Sequence, residues 1–563
     1  MKNVSAFIER ISLLCWNSAK YRHLLFFVLT MFVLCAYGYY FGTFDQSSHI
    51  PFLKKTIDPS LFPEDRFFDL RTSHYSYFWL LFIPFHWLGI LEITMFLVYA
   101  GTTYLTFWAL WDLSKTLFHN RLTTFLATTA MALPHIGFSG FPLFEFSLLN
   151  RTVVFPFELF AIRLYLEKKY ALSFFLLGIL YNFHALSVHF VLAMMGMDIL
   201  LSLIKKRDTH AFVATPFFFV SALPIFIWKF NHSGVPMNAQ WEWFNLLNMS
   251  TFFHLFNFFS LINPVVNLLS AGGISALILF FIVQKYIEKN RMHEAIVHFM
   301  YGGILILLVQ QCATLFYPLA IIVQTQIIRI ATFLTLFTYL YVAHVISIKH
   351  RGKDHFICFV TSLFLSFSPL VLFISLLFWR TTQIKILRLI TVIICVLFCM
   401  TLAVLLSLNL ARPGIHIWPE KTAFYDAQMW AKNNTPRTAR FLTPPGKWWL
   451  YDLEWRVVSE RSTISTLSEL LEGAFDPSYI AYWRPRFEDV APGAIKQFKG
   501  NSLANLRITD EAYYHHSTNE FIALGSKYQA SYLVVDILHP QNLPMAYQNQ
   551  EYIIYSLNLQ MSE

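Results

Sequence analysis

Apolar runs of roughly 20 residues recur along most of this chain, each long enough to cross a hydrocarbon core, and they leave few folds open to it. The first is "HLLFFVLTMFVLCAYGYYF", His23–Phe41. It lacks a small-residue cleavage site and is long enough to span, so it reads as a retained span rather than a signal peptide. Charged residues make up 13% of the 563 positions and the mean hydropathy is +0.50. Soluble domains carry about 25% charge. The pattern predicts a polytopic α-helical membrane protein of about 11–13 spans.

The formal charge of +9 comes mainly from Lys and Arg in short loops. These are "WNSAKYRH" before the first run, then "LSKTLFHNR" (113–121), "LEKKY" (166–170), "LIKKRD" (203–208), "KYIEKNRMH" (285–293) and "SIKHRGKDH" (347–355). Basic clusters between spans set orientation, cytoplasmic side inward, and this placement argues against a nucleic-acid partner. The outer face then receives the first loop and the stretches 137–152, 182–189, 230–262 and 317–329. If "YSYFWLLFIPFHWLG" (75–89) crossed the membrane, every later basic cluster would fall outside, so it is expected to be an interfacial or partly embedded helix of the outer loop. Residues 356–410 hold either one span or a hairpin broken at Ser368–Pro369. The basic-loop rule favours the hairpin, which puts the C-terminal part outside.

Three regions follow: a cytoplasmic segment 1–22, a multispanning domain 23–410 whose first outer loop is 42–90, and a soluble α/β domain 411–563, extracytoplasmic on this topology. In the last, "TAFYDAQMWAKNNTP" has a Thr start signal, helical apolar spacing and an Asn-Thr-Pro stop. "ARFLTPP", "EWRVVSE", "SYLVVD" and "EYIIYSLN" read as strands. The cysteines (Cys15, Cys35, Cys312, Cys358, Cys395 and Cys399) lie in or beside apolar runs, so neither disulfides in the soluble domain nor metal-type spacing is expected.

Ionisable groups at span ends are costly and point to function. On the outer side they are Asp45, His49, Glu64, Asp65, Arg66, Asp69, Arg71 and His74 in the first loop, then Glu145, Asn150 and Arg151, His184 and His189, and Gln324, Gln326 and Arg329. Several have plainer readings. Lys54 and Lys55 suit solvent or lipid headgroups, and Asp58 and Ser60 suit a turn bonded to its own backbone. His135 beside Pro134 suits a structural role, and His184 and His189 suit helix packing. Glu158 and Arg163 can satisfy one another, or Arg163 can snorkel to the cytoplasmic face. Arg151 and Arg329 are harder to explain so, because a permanent guanidinium wants a carboxylate or phosphate. Asp45 follows the first span among Tyr39, Tyr40, Phe41 and Phe44, which suit anchoring at headgroup depth. Desolvation there would raise its pKa and suit it to general-base work, the alternative being a helix cap or a partner for Arg66 or Arg71.

A first span, a large outer loop whose acid lies just past the helix, a partly embedded loop helix and second span in "YSYFWLLFIPFHWLGILEITMFLVYAGTTYLTFWALWDLSKTLF", many further spans and a soluble C-terminal domain outside resemble the GT-C class of membrane glycosyltransferases, which includes protein mannosyltransferases and aminoarabinose lipid A transferases. In "FGTFDQSSHIPFL", "DPSLFPEDRFF", "LLNRT", "NFHAL" and the closing "KYQASYLVVD" and "YQNQEYIIYSLN" the chain looks closest to bacterial multispanning members of unassigned function. The resemblance covers most of the chain in architecture, but only the first loop is distinctive in motif. It implies transfer of a sugar from a polyprenyl-phosphate carrier to a lipid, glycan or protein acceptor, at the outer face of a bacterial inner membrane, with inversion. It makes Asp45 the base. By location it makes Arg66, Arg71, Arg151, His184, His189 and Arg329 candidates to hold lipid phosphate or sugar. Many members carry two adjacent acids where this chain has Asp45 and Gln46, so Glu64, Asp65 or Asp69 is left as a possible second acid. A divalent metal is possible but not indicated, and no other cofactor is implied. The alternatives are a secondary transporter, for which paired inverted repeats are wanting, a cell-envelope polysaccharide polymerase or ligase, and a non-catalytic scaffold.

Overall fold

The computed structural model describes residues 2–72, 76–133, 143–205, 209–231, 238–250, 264–349, a few positions between 396 and 407, 412–448 and 451–557. Among these, six helices are long and apolar enough to cross a membrane: Ala19–Tyr37, Leu91–Phe118, Tyr170–Ile204, Leu269–Tyr286, Arg291–Phe316 and Ala320–Ile348. A pair bent by 60°, His210–Ser221 and Leu223–Asn231, makes up to seven. The chain is thus a multi-pass helical protein with a C-terminal region containing strands. The hairpin expected at Ser368–Pro369 lies outside the described residues, as do His74 and His135. The segment Phe78–Trp87 is an apolar helical stretch of 10 residues, too short to span.

Tyr170–Ile204 is not one straight rod. His184 has non-helical backbone angles (φ −151°, ψ 84°), and the chain folds back there. Tyr165 packs on Tyr170 at one end, with ring centroids 5.0 Å apart, and donates to Asp198 Oδ2 near the other, at 2.8 Å. On a straight helix Tyr170 and Asp198 would stand roughly 40 Å apart. The break exposes backbone carbonyls, and neighbouring segments bond them. Asn182 O accepts from Tyr77 N, and Phe183 O from Asn150 Nδ2 and Ser76 Oγ. Irregular backbone within a membrane protein persists where protein groups satisfy it in this way.

The first loop is more ordered than a connector. Gln46–Ile57 is a helix of 12 residues. Asp58 Oδ1 accepts from the Ser60 amide, so the expected Asx turn is present, and Asp58 also pairs with Arg437 of the C-terminal domain. Lys54 and Lys55 are not solvent or headgroup residues. Lys54 bonds Glu460 and Val457 O, and Lys55 bonds the carbonyls of Pro59 and Leu61.

The C-terminal domain holds a five-stranded sheet in the order Ser462–Thr463, Arg440–Leu442, Tyr532–Asp536, Tyr552–Ser556, Met545–Gln548. The first three are parallel and the last two pairings antiparallel. The helix starting at Thr422 forms as Ala423–Asn434, capped by the Thr422 side chain. One expected strand is absent: "EWRVVSE" contains the short helix Trp455–Ser459. Every residue of that helix is buried, so it has no solvent face for strand alternation, and Glu454 caps it by accepting from Arg456 N. Tertiary surroundings override the β-propensity of its valines here.

Domain and first loop share their cores. Phe52, Phe67 and Leu70 of the loop pack in one buried cluster with Trp448, Leu470, Trp483 and Phe487. Tyr39–Tyr40 pairs in parallel with Ile415–His416. Gly38 opens that join with φ 80°, and a Cβ there would meet Gly414 O at 2.8 Å, so glycine is required. The aromatics around Asp45 therefore serve docking rather than lipid anchoring. Tyr39, Tyr40 and Phe41 are buried, Tyr40 stacks on His416, and Phe44 stacks on Trp448. Contact this extensive puts the first loop and the C-terminal domain on the same side of the membrane.

Candidate functional site

Asp45 stands at the start of Gln46–Ile57, where its carboxylate is turned away from capping the helix. Gln46 fixes it there. The Gln46 side chain is fully buried, accepts from Gly42 N at 2.8 Å and donates to Leu148 O at 2.7 Å. That second bond draws the first loop against the segment carrying Glu145 and Arg151.

Arg151 begins the helix Asn150–Leu166, an end where the helix dipole disfavours a cation. Two carboxylates compensate. Arg151 Nη1 lies 2.7 Å from Asp45 Oδ2, while Nε and Nη2 form a fork to Glu145, each at 2.6 Å. Such bidentate contacts are short and geometrically specific. Burial acts to raise the Asp45 pKa, as its position suggests. Arg151, then Arg329 and His49, outweigh burial and hold the carboxyl below its ordinary value. The expected raised pKa is therefore reversed, because the desolvated acid is ion-paired.

Arg329 arrives from a broken stretch of chain. Ala320–Gln324 is followed by Gln326 in the left-handed region (φ 44°) and by a short 3-10 turn, Ile327–Ile330. Gln310 Oε1 accepts the Ile328 amide released by the break. Arg329 acts electrostatically on both Asp45 and Glu145. His184, at the apex of the folded-back segment, is within the fields of Arg151, Arg329, His49 and His189. Asp45, His49, Glu145, Arg151, His184 and Arg329 thus form one electrostatic cluster drawn from four stretches of chain.

A small cleft of about 30 Å3 adjoins it, with His49, Phe52, Thr56, Arg71, Trp79 and Asn150 in its lining. His49 stacks on Trp79 with centroids 4.6 Å apart. Arg71 belongs to this cleft and bonds Thr56, and it does not pair with Asp45.

The other candidates lie elsewhere. Arg66 is exposed, pairs with Asp69 at 3.4 Å and covers the Tyr482 ring. Glu64 pairs with Arg440, and Asp65 pairs with buried Arg456. The second acid beside Asp45 is therefore Glu145, not Glu64, Asp65 or Asp69. His189 bonds the Tyr181 hydroxyl at 2.8 Å. Gln324 donates to Phe475 O of the C-terminal domain. Arg163 pairs with Asp112 and Glu167 and not with Glu158. Among the described residues, no three His, Cys, Asp or Glu side chains are grouped to hold a metal ion. The carboxylates of Asp45 and Glu145 are bridged by a guanidinium instead.

No protein-family model matches the chain, and no curated protein matches its sequence.

Proposed function

We propose that this protein is a membrane glycosyltransferase that moves a sugar from a polyprenyl-phosphate carrier to a hydroxyl acceptor at the outer face of a bacterial inner membrane, with its C-terminal domain on that face. The observation that carries the reading is the Asp45–Arg151–Glu145 ion triad with Arg329 and His184 beside it. Acid and cation are assembled there in the pairing that hydroxyl activation and phosphate departure need.

In this reaction the acceptor oxygen attacks the anomeric carbon while the bond from that carbon to the phosphate oxygen breaks. The acceptor proton passes to the Asp45 carboxylate, which Arg151 keeps in its base form. The phosphate leaves with the electron pair of the broken bond, and Arg329 offsets its charge. Glu145 holds the far side of the Arg151 guanidinium, so that Arg151 stays in place when Asp45 takes the proton.

The test compares lipids and envelope glycans of cells with and without the protein, and with Asp45→Asn normally inserted. Loss of one glycan modification in both the deletion and the variant is expected. An unchanged glycan profile, or uptake of a solute by proteoliposomes without any polyprenyl-phosphate product, overturns the reading.

A further inference from the structure

The apex at His184 carries a hydrogen-bond arrangement that fixes which ring nitrogen bears the hydrogen. Ser187 N donates to His184 Nδ1 at 3.3 Å, and the Ser187 hydroxyl lies 2.7 Å from the same nitrogen. A backbone N–H only donates, so Nδ1 is the acceptor and the neutral ring carries its hydrogen on Nε2. Behind Ser187 lies Glu158, fully buried, with the Ser187 side chain acting on it. On the ring's other surroundings the groups acting most strongly are Arg151 and Arg329, then His49 and His189.

We propose that His184 is a neutral N–H donor to a phosphate oxygen, its Nε2–H set by Ser187, with Ser187 and Glu158 as positioning residues. Two arginines already supply charge at this site, and an imidazolium beside them would meet repulsion. A neutral N–H adds a directed hydrogen bond without that cost. The broken backbone at His184 has the same rationale. A histidine in continuous helix would have its ring placed by the helix, whereas the break lets the Ser187 amide face Nδ1. This assignment rests on the glycosyl-transfer reading only in identifying the phosphate as a lipid carrier's.

Two measurements on the full chain in nanodiscs test it. Nitrogen NMR of 15N-histidine-labelled protein should show His184 as the Nε2–H tautomer at neutral pH. An Nδ1–H tautomer or an imidazolium there overturns the proposal. Calorimetric titration then uses farnesyl phosphate and inorganic phosphate as probes. His184→Ala and Ser187→Ala should each weaken phosphate binding about tenfold, as for one lost hydrogen bond to a charged group. His184→Gln and Ser187→Thr, which keep the N–H and the hydroxyl, should stay near wild type. Equal losses in Ala and conservative variants overturn the donor role, as does binding of neither probe. Binding of farnesyl phosphate alone supports the proposal with a lipid-linked ligand, and equal binding of both supports it with free phosphate. Normal phosphate binding without sugar transfer overturns the glycosyltransferase reading and leaves His184 as assigned.

Discussion

Asp65 and Arg456 are 391 positions apart in the sequence and 2.8 Å apart in the fold. Arg456 is 1% exposed and also holds Glu454 and Glu469, each at 2.7 Å. One buried guanidinium of the C-terminal domain thus holds the first loop through Asp65 and two acids of its own domain, Glu454 and Glu469. With both partners fixed together, the membrane must be crossed an even number of times between them.

Sidedness follows directly. Exposed Glu64 in the loop and exposed Glu551 in the domain should both be reachable from one side. In sealed, oriented vesicles, Glu64→Cys and Glu551→Cys should react with an impermeant maleimide to the same extent. Labelling of one without the other contradicts the shared face, whichever face it is.

Removing Arg456 should be costly, because three buried acids lose their cation together. Arg456→Met is expected to destabilise the protein by about 3–5 kcal/mol, the usual result of breaking a buried ion cluster on one side. Thermal unfolding of the purified protein in detergent would read this as a large drop in midpoint. A shift as small as that of an exposed control, Arg66→Met, would mean the cluster is not holding the domain.

The same cluster predicts a pH response. Burial pushes the Glu469 carboxyl up to about 7, against the pull of Arg456 and with Asp65 adding to the rise. A group whose folded pKa is raised stabilises most when protonated. Its contribution is complete below the unfolded value of about 4.3 and declines as pH climbs through the folded one. Stability should therefore fall between those limits and on towards pH 8, and Glu469→Gln should flatten the curve. A wild-type midpoint that rises over that interval while the variant's stays flat has the wrong sign for this mechanism.

Much of the site was legible because the basic loops sort polar residues by membrane face. That rule alone assigns Asp45, Arg151, His184 and Arg329 to one side. The partners were not legible, since they depend on hydrogen bonds across distant segments. Gln46 stands where the resemblance sets a second acid, and its amide bonds Gly42 N and Leu148 O, which draws the segment carrying Glu145 towards Asp45. Arg66 and Asp65 sit almost beside each other in sequence and part company in the fold, one to solvent and one to Arg456. The helix Trp455–Ser459 was misread as a strand because its valines carry β-propensity and nothing local reveals that all its faces are buried. His184 and Ser187 are three apart and could have been paired by helix spacing, but the backbone break that aligns them has no sequence signature.

Asp45 and Arg151 supply the sharpest test at the site itself. With Arg151 present, Asp45 is held below its ordinary pKa and stays ionised at every physiological pH. The ion pair stabilises the fold above the unfolded aspartate value of about 3.9 and fails only as pH drops through the lower folded one. Without Arg151 the desolvation of Asp45 loses its strongest opponent, leaving the weaker pull of Arg329 and His49, and its pKa should rise. Arg151→Gln should therefore move the acid limb of the pH–rate profile upward, in addition to lowering the maximal rate at least a hundredfold through loss of the aligned base. Arg151→Lys keeps the charge but lacks the fork that grips Glu145, so it should retain the low acid limb while still losing rate. Profiles of the two variants that coincide would show that Arg151 acts by geometry alone, and an acid limb unmoved in Arg151→Gln would remove Asp45 from the titrating role.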